Sequence, residues 1–378
     1  MTSRAAPSPP PPAETDLAQR SAPDGDADAN PADGWRRLLP RFVAGLVLAL
    51  IVVTALALFA DLRELGDALA GFDWWLAIPI IGLTLLNYAL RFVKWQIYLG
   101  RIGVRGIPLL ESALTFLSAF SMSVTPGKVG EIIKAVYVRR LTGTPVSRVA
   151  AIIAAERLTD GLAMLGLAAI GLTQFSYGRP LLAVAALLGI GVIVLLRRPA
   201  LLNWLVGLLG RLPIIGPVVF RLTHHVEHFI DASNALYAPR LVVGSVLLGM
   251  LSWFAECLAL FLVLAGLGQE ATWHLLLVAT FILSVSSVFG ALSFLPGGLG
   301  IAEASITAML ILLITDPEFT RGDAAAATIL IRFATLWFSV LLGVGAVAIL
   351  QRRLRGRADH PDLASARSPS VAPGTTST

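Results

Sequence analysis

Two apolar stretches of this chain are each interrupted by a Pro-Gly turn followed closely by a glutamate. The first reads Pro126-Gly127-Lys128-Val129-Gly130-Glu131, the second Pro296-Gly297-Gly298-Leu299-Gly300-Ile301-Ala302-Glu303. Such a break strands backbone N–H and C=O groups that lipid cannot satisfy, so it must face protein or a water-filled cavity if the run lies in a membrane. Two breaks at matching places in two halves are the pattern expected of a transport pathway.

Composition puts the run in a membrane. Hydrophobic residues make up 56% of the chain and charged residues 14%, against roughly 25% charged in an average soluble domain. Apolar runs long enough to cross a bilayer are expected at 42–60, 74–98, 149–172, 180–196, 241–267 and 324–350. The first follows a basic flank, Arg36, Arg37 and Arg41, and reads as an uncleaved helix. The broken stretches, 107–138 and 275–314, each read as two short apolar helical pieces around a Gly-rich turn. The single cysteine, Cys257, excludes an intramolecular disulfide.

Charge chooses the topology. If both broken segments return to the side they entered from, one face collects Arg36, Arg37 and Arg41, then Lys134, Arg139, Arg140 and Arg148, and finally Arg352, Arg353, Arg355 and Arg357. The opposite loops hold Arg63, Arg179 and Arg321 among acids such as Asp61, Glu64, Asp67, Asp73, Asp316 and Asp323. The positive-inside rule then puts both termini in the cytoplasm, with the hairpins entering from opposite faces. The expected fold is an all-α polytopic membrane bundle of about six full spans plus two broken re-entrant helical hairpins in an inverted repeat. Its parts are a disordered cytoplasmic tail at 1–35, a first membrane half at 36–198, a cytoplasmic-face linker with an interfacial helix at 199–240, a second half at 241–351 and a disordered cytoplasmic tail at 352–378. The expected location is the inner (cytoplasmic) or plasma membrane.

Ionisable residues inside spans are costly and tend to have a partner or a task. Glu156, Arg157 and Asp160 fall near the centre of one span, with Glu156 and Asp160 four apart on one helical face. Glu256 lies near the centre of another, and Arg332 sits in the last. Arg91 and Lys94 lie toward a span end, where snorkelling to the interface accounts for them. In both halves a turn and its glutamate precede a span that carries an arginine: Glu131 then Arg157, Glu303 then Arg332.

This set suits an anionic headgroup. A half-helix starting inside the membrane points its unpaired N–H groups and positive dipole end at the cavity. Gly127, Gly130, Gly297, Gly298 and Gly300, beside Pro126 and Pro296, let backbone approach a phosphate, while Lys128, Arg157 and Arg332 add cationic donors. Glu131, Glu156, Asp160, Glu256 and Glu303 balance those cations or carry protons. The plainer reading has Glu131 and Glu303 capping their own helices and Arg157 neutralised by Asp160. His224, Glu227 and His228 match H-x-x-E-H, and His224 with His228 has metal-ligand spacing on a helix. With no third ligand in view, a solvated interfacial face is the better account, and no metal, cofactor or catalytic residue is expected.

The succession of Arg91 and Trp95, TPGKVGE, Ala155-Glu156-Arg157-Leu158-Thr159-Asp160, LPGGLGIAE and Arg332 resembles the flippase-like membrane domain of the lysylphosphatidylglycerol synthase family over about 40–350. Members with full synthase activity make an aminoacylated phospholipid with a separate cytosolic domain and flip it with this one. The chain ends soon after its last expected span, so the resemblance implies a stand-alone lipid flippase or transporter, not itself an enzyme. The implied partner is a membrane lipid with an anionic headgroup, with homo-oligomerisation open and no nucleic acid. The ranked alternatives are a membrane subunit of a lipid-modifying enzyme system, aminoacyl-phospholipid or glycolipid, and below it an intramembrane metalloenzyme.

Overall fold

The structure is a computed structural model that describes residues 31–124, 131–174 and 235–358, with isolated positions between 180 and 198. All regular structure among the described residues is helical. The helices are α1 (Pro31–Phe59), α2 (Leu62–Gly71), α3 (Ala77–Arg101), α4 (Leu109–Ser118), α5 (Ile132–Thr142), α6 (Val146–Gly171), α7 (Pro239–Gly266), α8 (Trp273–Leu292), α9 (Ile301–Leu313), α10 (Arg321–Arg332) and α11 (Phe338–Ala358).

Helix ends follow local chemistry. Pro239 occupies the first turn of α7, where its missing N–H costs nothing. The Thr272 hydroxyl accepts the Leu275 N–H at the start of α8. Thr320 and Asp323 cap α10 reciprocally: Thr320 Oγ1 accepts the Asp323 N–H at 3.1 Å, and Asp323 Oδ2 accepts the Thr320 N–H at 2.8 Å. Between α1 and α2 the chain bends by 97°. There Asp61 takes a left-handed φ of 64° while its carboxylate accepts the Arg63 N–H at 2.9 Å.

Five described helical stretches are long and apolar enough to cross a membrane: Trp74–Arg101, Pro239–Gly266, Trp273–Leu292, Pro296–Leu313 and Arg321–Leu354. The bent α1–α2 pair makes a sixth. Helix α6, 26 residues long, also has the length but carries Glu156, Arg157 and Asp160 mid-way. Large apolar side chains face outward along the spans, among them Leu50, Ile78, Leu247, Leu312 and Leu341. In water that surface would be an aggregation patch; in a bilayer it is the lipid-facing wall. The chain is a multi-pass membrane protein. The expected spans over 42–60, 74–98, 149–172, 241–267 and 324–350 all coincide with described helices, while most of 180–196 and most of 199–240 lie outside the described residues.

The broken segments are unequal. In the first, α4 and a short 3-10 turn (Ala119–Met122) precede the break and the 11-residue α5 follows it. In the second, the arm before the break is not a short piece: α8 has 20 residues, enough at 1.5 Å per residue for a core of about 30 Å. Two large hydrophobic cores and two smaller clusters hold the described helices together. One large core gathers α7 to α10 with Phe72 and Ile80, around Leu260, Leu264, Ile282 and Leu310; the other gathers α3 to α6 around Trp95, Tyr98, Ile152 and Val149. The cores interleave, since α3 packs along α7, α6 along α8 and α4 along α11. Asn87 ties the first of these seams by donating from Nδ2 to the Ser252 carbonyl at 2.8 Å.

Candidate functional site

Helix α6 is the hub of a buried charge network. Glu156 and Asp160 share one face, and like charges at that spacing repel. Each therefore takes its own cation from a different helix. Lys134 of α5 reaches Glu156 Oε2 at 2.6 Å, and Lys94 of α3 reaches Asp160 Oδ1 at 2.5 Å with Arg91 at 3.7 Å from Oδ2. Lys134 also lies 4.9 Å from the Trp95 ring centre and 5.6 Å from that of Phe116. Arg91 stands over Phe120 and Trp253 at 5.6 and 5.3 Å. These aromatic faces replace part of the hydration each cation gives up.

Three plain readings are corrected by this geometry. Lys94 does not snorkel: it is 2% exposed, because Arg91, Lys94, Trp95 and Tyr98 share the α3 face turned into the bundle. Arg157 makes its ion pair with Glu131, at 3.1 Å, and not with Asp160, whose carboxylate is taken by Lys94 and Arg91. Glu131 stands at the N-cap of α5 but its side chain makes no capping hydrogen bond there; it turns to Arg157. Lys134 was foreseen only as a contributor to the positive face. The signal that finds it is the same cost argument applied to every lysine near an apolar run, including one beyond a break.

The second turn is the more fully described. Helix α8 ends, Phe294 enters the left-handed region at φ 54°, and Gly297, Gly298 and Gly300 follow at φ 60°, 68° and 87°. A side chain at Gly298 would meet the Gly290 Cα at 2.9 Å, so the turn lies directly on α8. At Gly300 the nearest atom to an added Cβ would be Val52 Cγ2 at 3.7 Å, so the conformation and not crowding calls for glycine there.

Glu303 then closes the turn twice. Its Oε2 accepts the Gly300 N–H at 2.7 Å, which caps α9, and its Oε1 accepts from Arg332 Nε at 2.5 Å. Arg332 Nη2 donates to the Gly297 carbonyl at 2.8 Å. The guanidinium keeps further N–H donors uncommitted among the described residues. Helix α10 passes into a π-turn (Phe333–Trp337) immediately after Arg332, and the Tyr88 hydroxyl donates to the Thr335 carbonyl in it at 2.6 Å. Such turns frequently mark functional sites. The Glu303–Arg332 pair lines a pocket of ≈ 180 Å³ whose other walls are mainly apolar and come from α1, α10 and the π-turn.

Thus the two turn-glutamate-arginine sets both join as pairs, Glu131 with Arg157 and Glu303 with Arg332. The second turn also reaches the first broken segment, since an added Cβ at Gly297 would lie 3.5 Å from the Ser123 carbonyl oxygen. Glu256 of α7 is 6% exposed, with Arg91 and Arg332 acting on it electrostatically and no ion-pair partner among the described residues. Pro126, Gly127, Lys128 and Gly130 lie outside the described residues, as do His224, Glu227 and His228. Among the described residues no group of three or more His, Cys, Asp or Glu side chains is placed to hold a metal.

The family model described as lysylphosphatidylglycerol synthase TM region matches residues 42–343, a stretch that contains every charged pair above. The chain belongs to this family. A UPF0104 membrane protein of Methanothermobacter thermautotrophicus is 25% identical over 321 residues, covering 78% of this chain and 90% of that one. A protein named glycosyltransferase AglD, from Haloferax volcanii, is 24% identical over 340 residues, covering 82% of this chain and 54% of its own length. The chain thus spans about half of AglD. In this member of the lysylphosphatidylglycerol synthase transmembrane-region family, the matched residues carry the buried ion pairs described here.

Proposed function

We propose that the protein moves a lipid with an anionic headgroup between membrane leaflets, with both termini cytoplasmic and the two glycine turns at mid-depth. The observation that carries this reading is the closure of the second turn. Glu303 sits at the N-terminus of α9, accepting a backbone N–H and an arginine, beside a mainly apolar pocket. A helix N-terminus with an adjacent guanidinium is an anion site, and in this state an internal carboxylate fills it. A phosphate diester brings the same charge and acceptor geometry, so a headgroup takes the place of Glu303 and releases the turn. Charged groups buried in hydrocarbon at such cost are retained for a task, and exchange of partners is one they suit.

The family description names a membrane phospholipid made by other proteins, which supports the lipid class for this chain without naming its lipid. A second reading follows from AglD alone: the chain serves as the membrane part of a lipid-linked sugar transferase system. The deciding experiment is leaflet exchange in proteoliposomes with a panel of fluorescent lipids, anionic, zwitterionic and glycosylated. Exchange selective for anionic headgroups, abolished by Arg332→Ala and Arg157→Ala in protein that remains folded, supports translocation. Exchange indistinguishable from empty vesicles across the panel sinks it and leaves the second reading.

A further inference from the structure

Helix α1 packs closely on the rest of the bundle at two places, with a pocket between them. At one, Gly45 lies so close to the chain before the first break that a methyl there would fall 2.6 Å from the Val124 carbonyl oxygen. At the other, Ala57 and Ala60 pack with Leu65, Ala325 and Ala326. The inward residues run Gly45, Ala49, Val52, Leu56 and Ala60, a helical spacing of three and four, while Leu50, Ile51 and Leu58 point away. Between the two contacts the inward side chains are Ala49, Val52 and Leu56, and the small pair, Ala49 and Val52, leaves space on the way to Phe333 and Trp337. That space is the pocket of ≈ 180 Å³, and Arg332 and Glu303 close one part of its wall.

Resting on the translocation reading, we infer that this pocket seats one hydrocarbon chain of the same lipid whose anionic group engages Arg332. Three observations select the occupant. The pocket lies between spans, so the surrounding medium that can fill it is lipid chain. Its lining is apolar apart from Glu303, Thr328 and Arg332, which leaves the rest of the wall without polar partners for ordered water. Its volume also limits the occupant: a dry apolar cavity of about 150 Å³ accepts a benzene molecule, so this one takes a segment of one chain and not two side by side. Headgroup and chain are thus held against two parts of one site, with α1 as the wall nearest the bilayer. Substrate choice then depends on the chain as well as on the charge.

The test uses full-length protein in neutral phosphatidylcholine nanodiscs containing a trace of phosphatidate with a diazirine in mid-chain, photolysed and mapped by mass spectrometry. Label is expected on Ala49, Val52 and Val53 in excess of the outward Leu50 and Ile51. It should fall at least fivefold in Ala49→Trp, which fills the pocket, and persist in Leu50→Trp, which adds equal bulk to the lipid face. Val53→Trp, at the pocket rim, serves if Ala49→Trp does not fold. Unlabelled phosphatidate should compete, whereas inorganic phosphate should not. Equal labelling of both faces of α1, or equal effects of Ala49→Trp and Leu50→Trp, overturns the chain seat. Occupancy does not require movement, so the two readings fail separately. Wild-type protein that labels in the pocket but exchanges nothing retains the seat and loses translocation. Exchange and labelling that both survive Ala49→Trp do the reverse.

Discussion

Removing Lys134 should damage the fold more than removing Lys94, although both are buried lysines paired to carboxylates on α6. Coulomb attraction falls as the inverse of distance. Asp160 has Lys94 at 2.5 Å and Arg91 at 3.7 Å, so at equal dielectric Arg91 supplies about two-thirds of the attraction that Lys94 does. In Lys94→Met the carboxylate keeps Arg91 as a partner. Glu156 has Lys134 at 2.6 Å and no other ion-pair partner among the described residues. Stranding a buried charge costs roughly 3 to 5 kcal/mol, and loss of the contacts with Trp95 and Phe116 adds about 1 kcal/mol. Lys94→Met should cost about 2 kcal/mol, since its carboxylate stays compensated. A gap of about 2 kcal/mol or more separates melting midpoints by about 4 °C at a large domain's ~2 °C per kcal/mol. The assay is thermal unfolding of the purified protein in one detergent, with Lys134→Met/Glu156→Gln as the rescue. Equal midpoints for the two single variants, or no recovery in the double variant, would refute the reasoning.

Glu303→Gln keeps an acceptor for the Gly300 N–H but releases Arg332, so binding of an anionic lipid should tighten by about tenfold, the ~1.4 kcal/mol of one lost charge-assisted partner; microscale titration with a short-chain phosphatidate reads it, and unchanged affinity contradicts the internal stand-in. Gly300→Ala should cost about 1 to 2 kcal/mol with or without lipid, because its φ of 87° strains any L side chain; a loss seen only with lipid would mean the backbone there binds the headgroup directly. The exposed Asp316 carboxylate is held below its ordinary range by the Glu318 N–H and by Gln269. A depressed carboxylate contributes order above its unfolded value that is lost as pH falls through the folded one, so protection of the Glu318 amide against hydrogen exchange should drop on acidification below about pH 4 and be insensitive to pH in Asp316→Asn.

The helical bundle was legible because apolar run length maps directly onto span length, and the glutamate and arginine of the second turn were legible because each is expensive in hydrocarbon. Partner choice was not. Arg157 and Asp160 lie three apart, which invites a local pair, yet Glu131 from beyond the first break takes the arginine; chain separation carries no information about which helices will meet. Lys94 was misjudged because its distance to the span end suggested an exit to water, while its place on the inward face of α3 denied one. The length of α8 was blurred by the run continuing past Pro296, since hydropathy does not mark where a helix yields to a turn. The pocket beneath α1 was invisible for a related reason: it comes from small side chains opposite large ones, and only three-dimensional packing sets them face to face.

The interleaving of α3 with α7, α6 with α8 and α4 with α11 rules on how such a molecule can move. A carrier that rocks as two rigid blobs needs a slippery plane between them, and among the described residues none runs along the division between the first-half and second-half helices. Sliding them apart would unpack three long seams at once. Motion that spares those seams falls to the remaining described elements: the bend at Asp61, α1 and the glycine turn held by Glu303. The interlocked helices act as a chassis, and a lipid moved as proposed would pass along its flank.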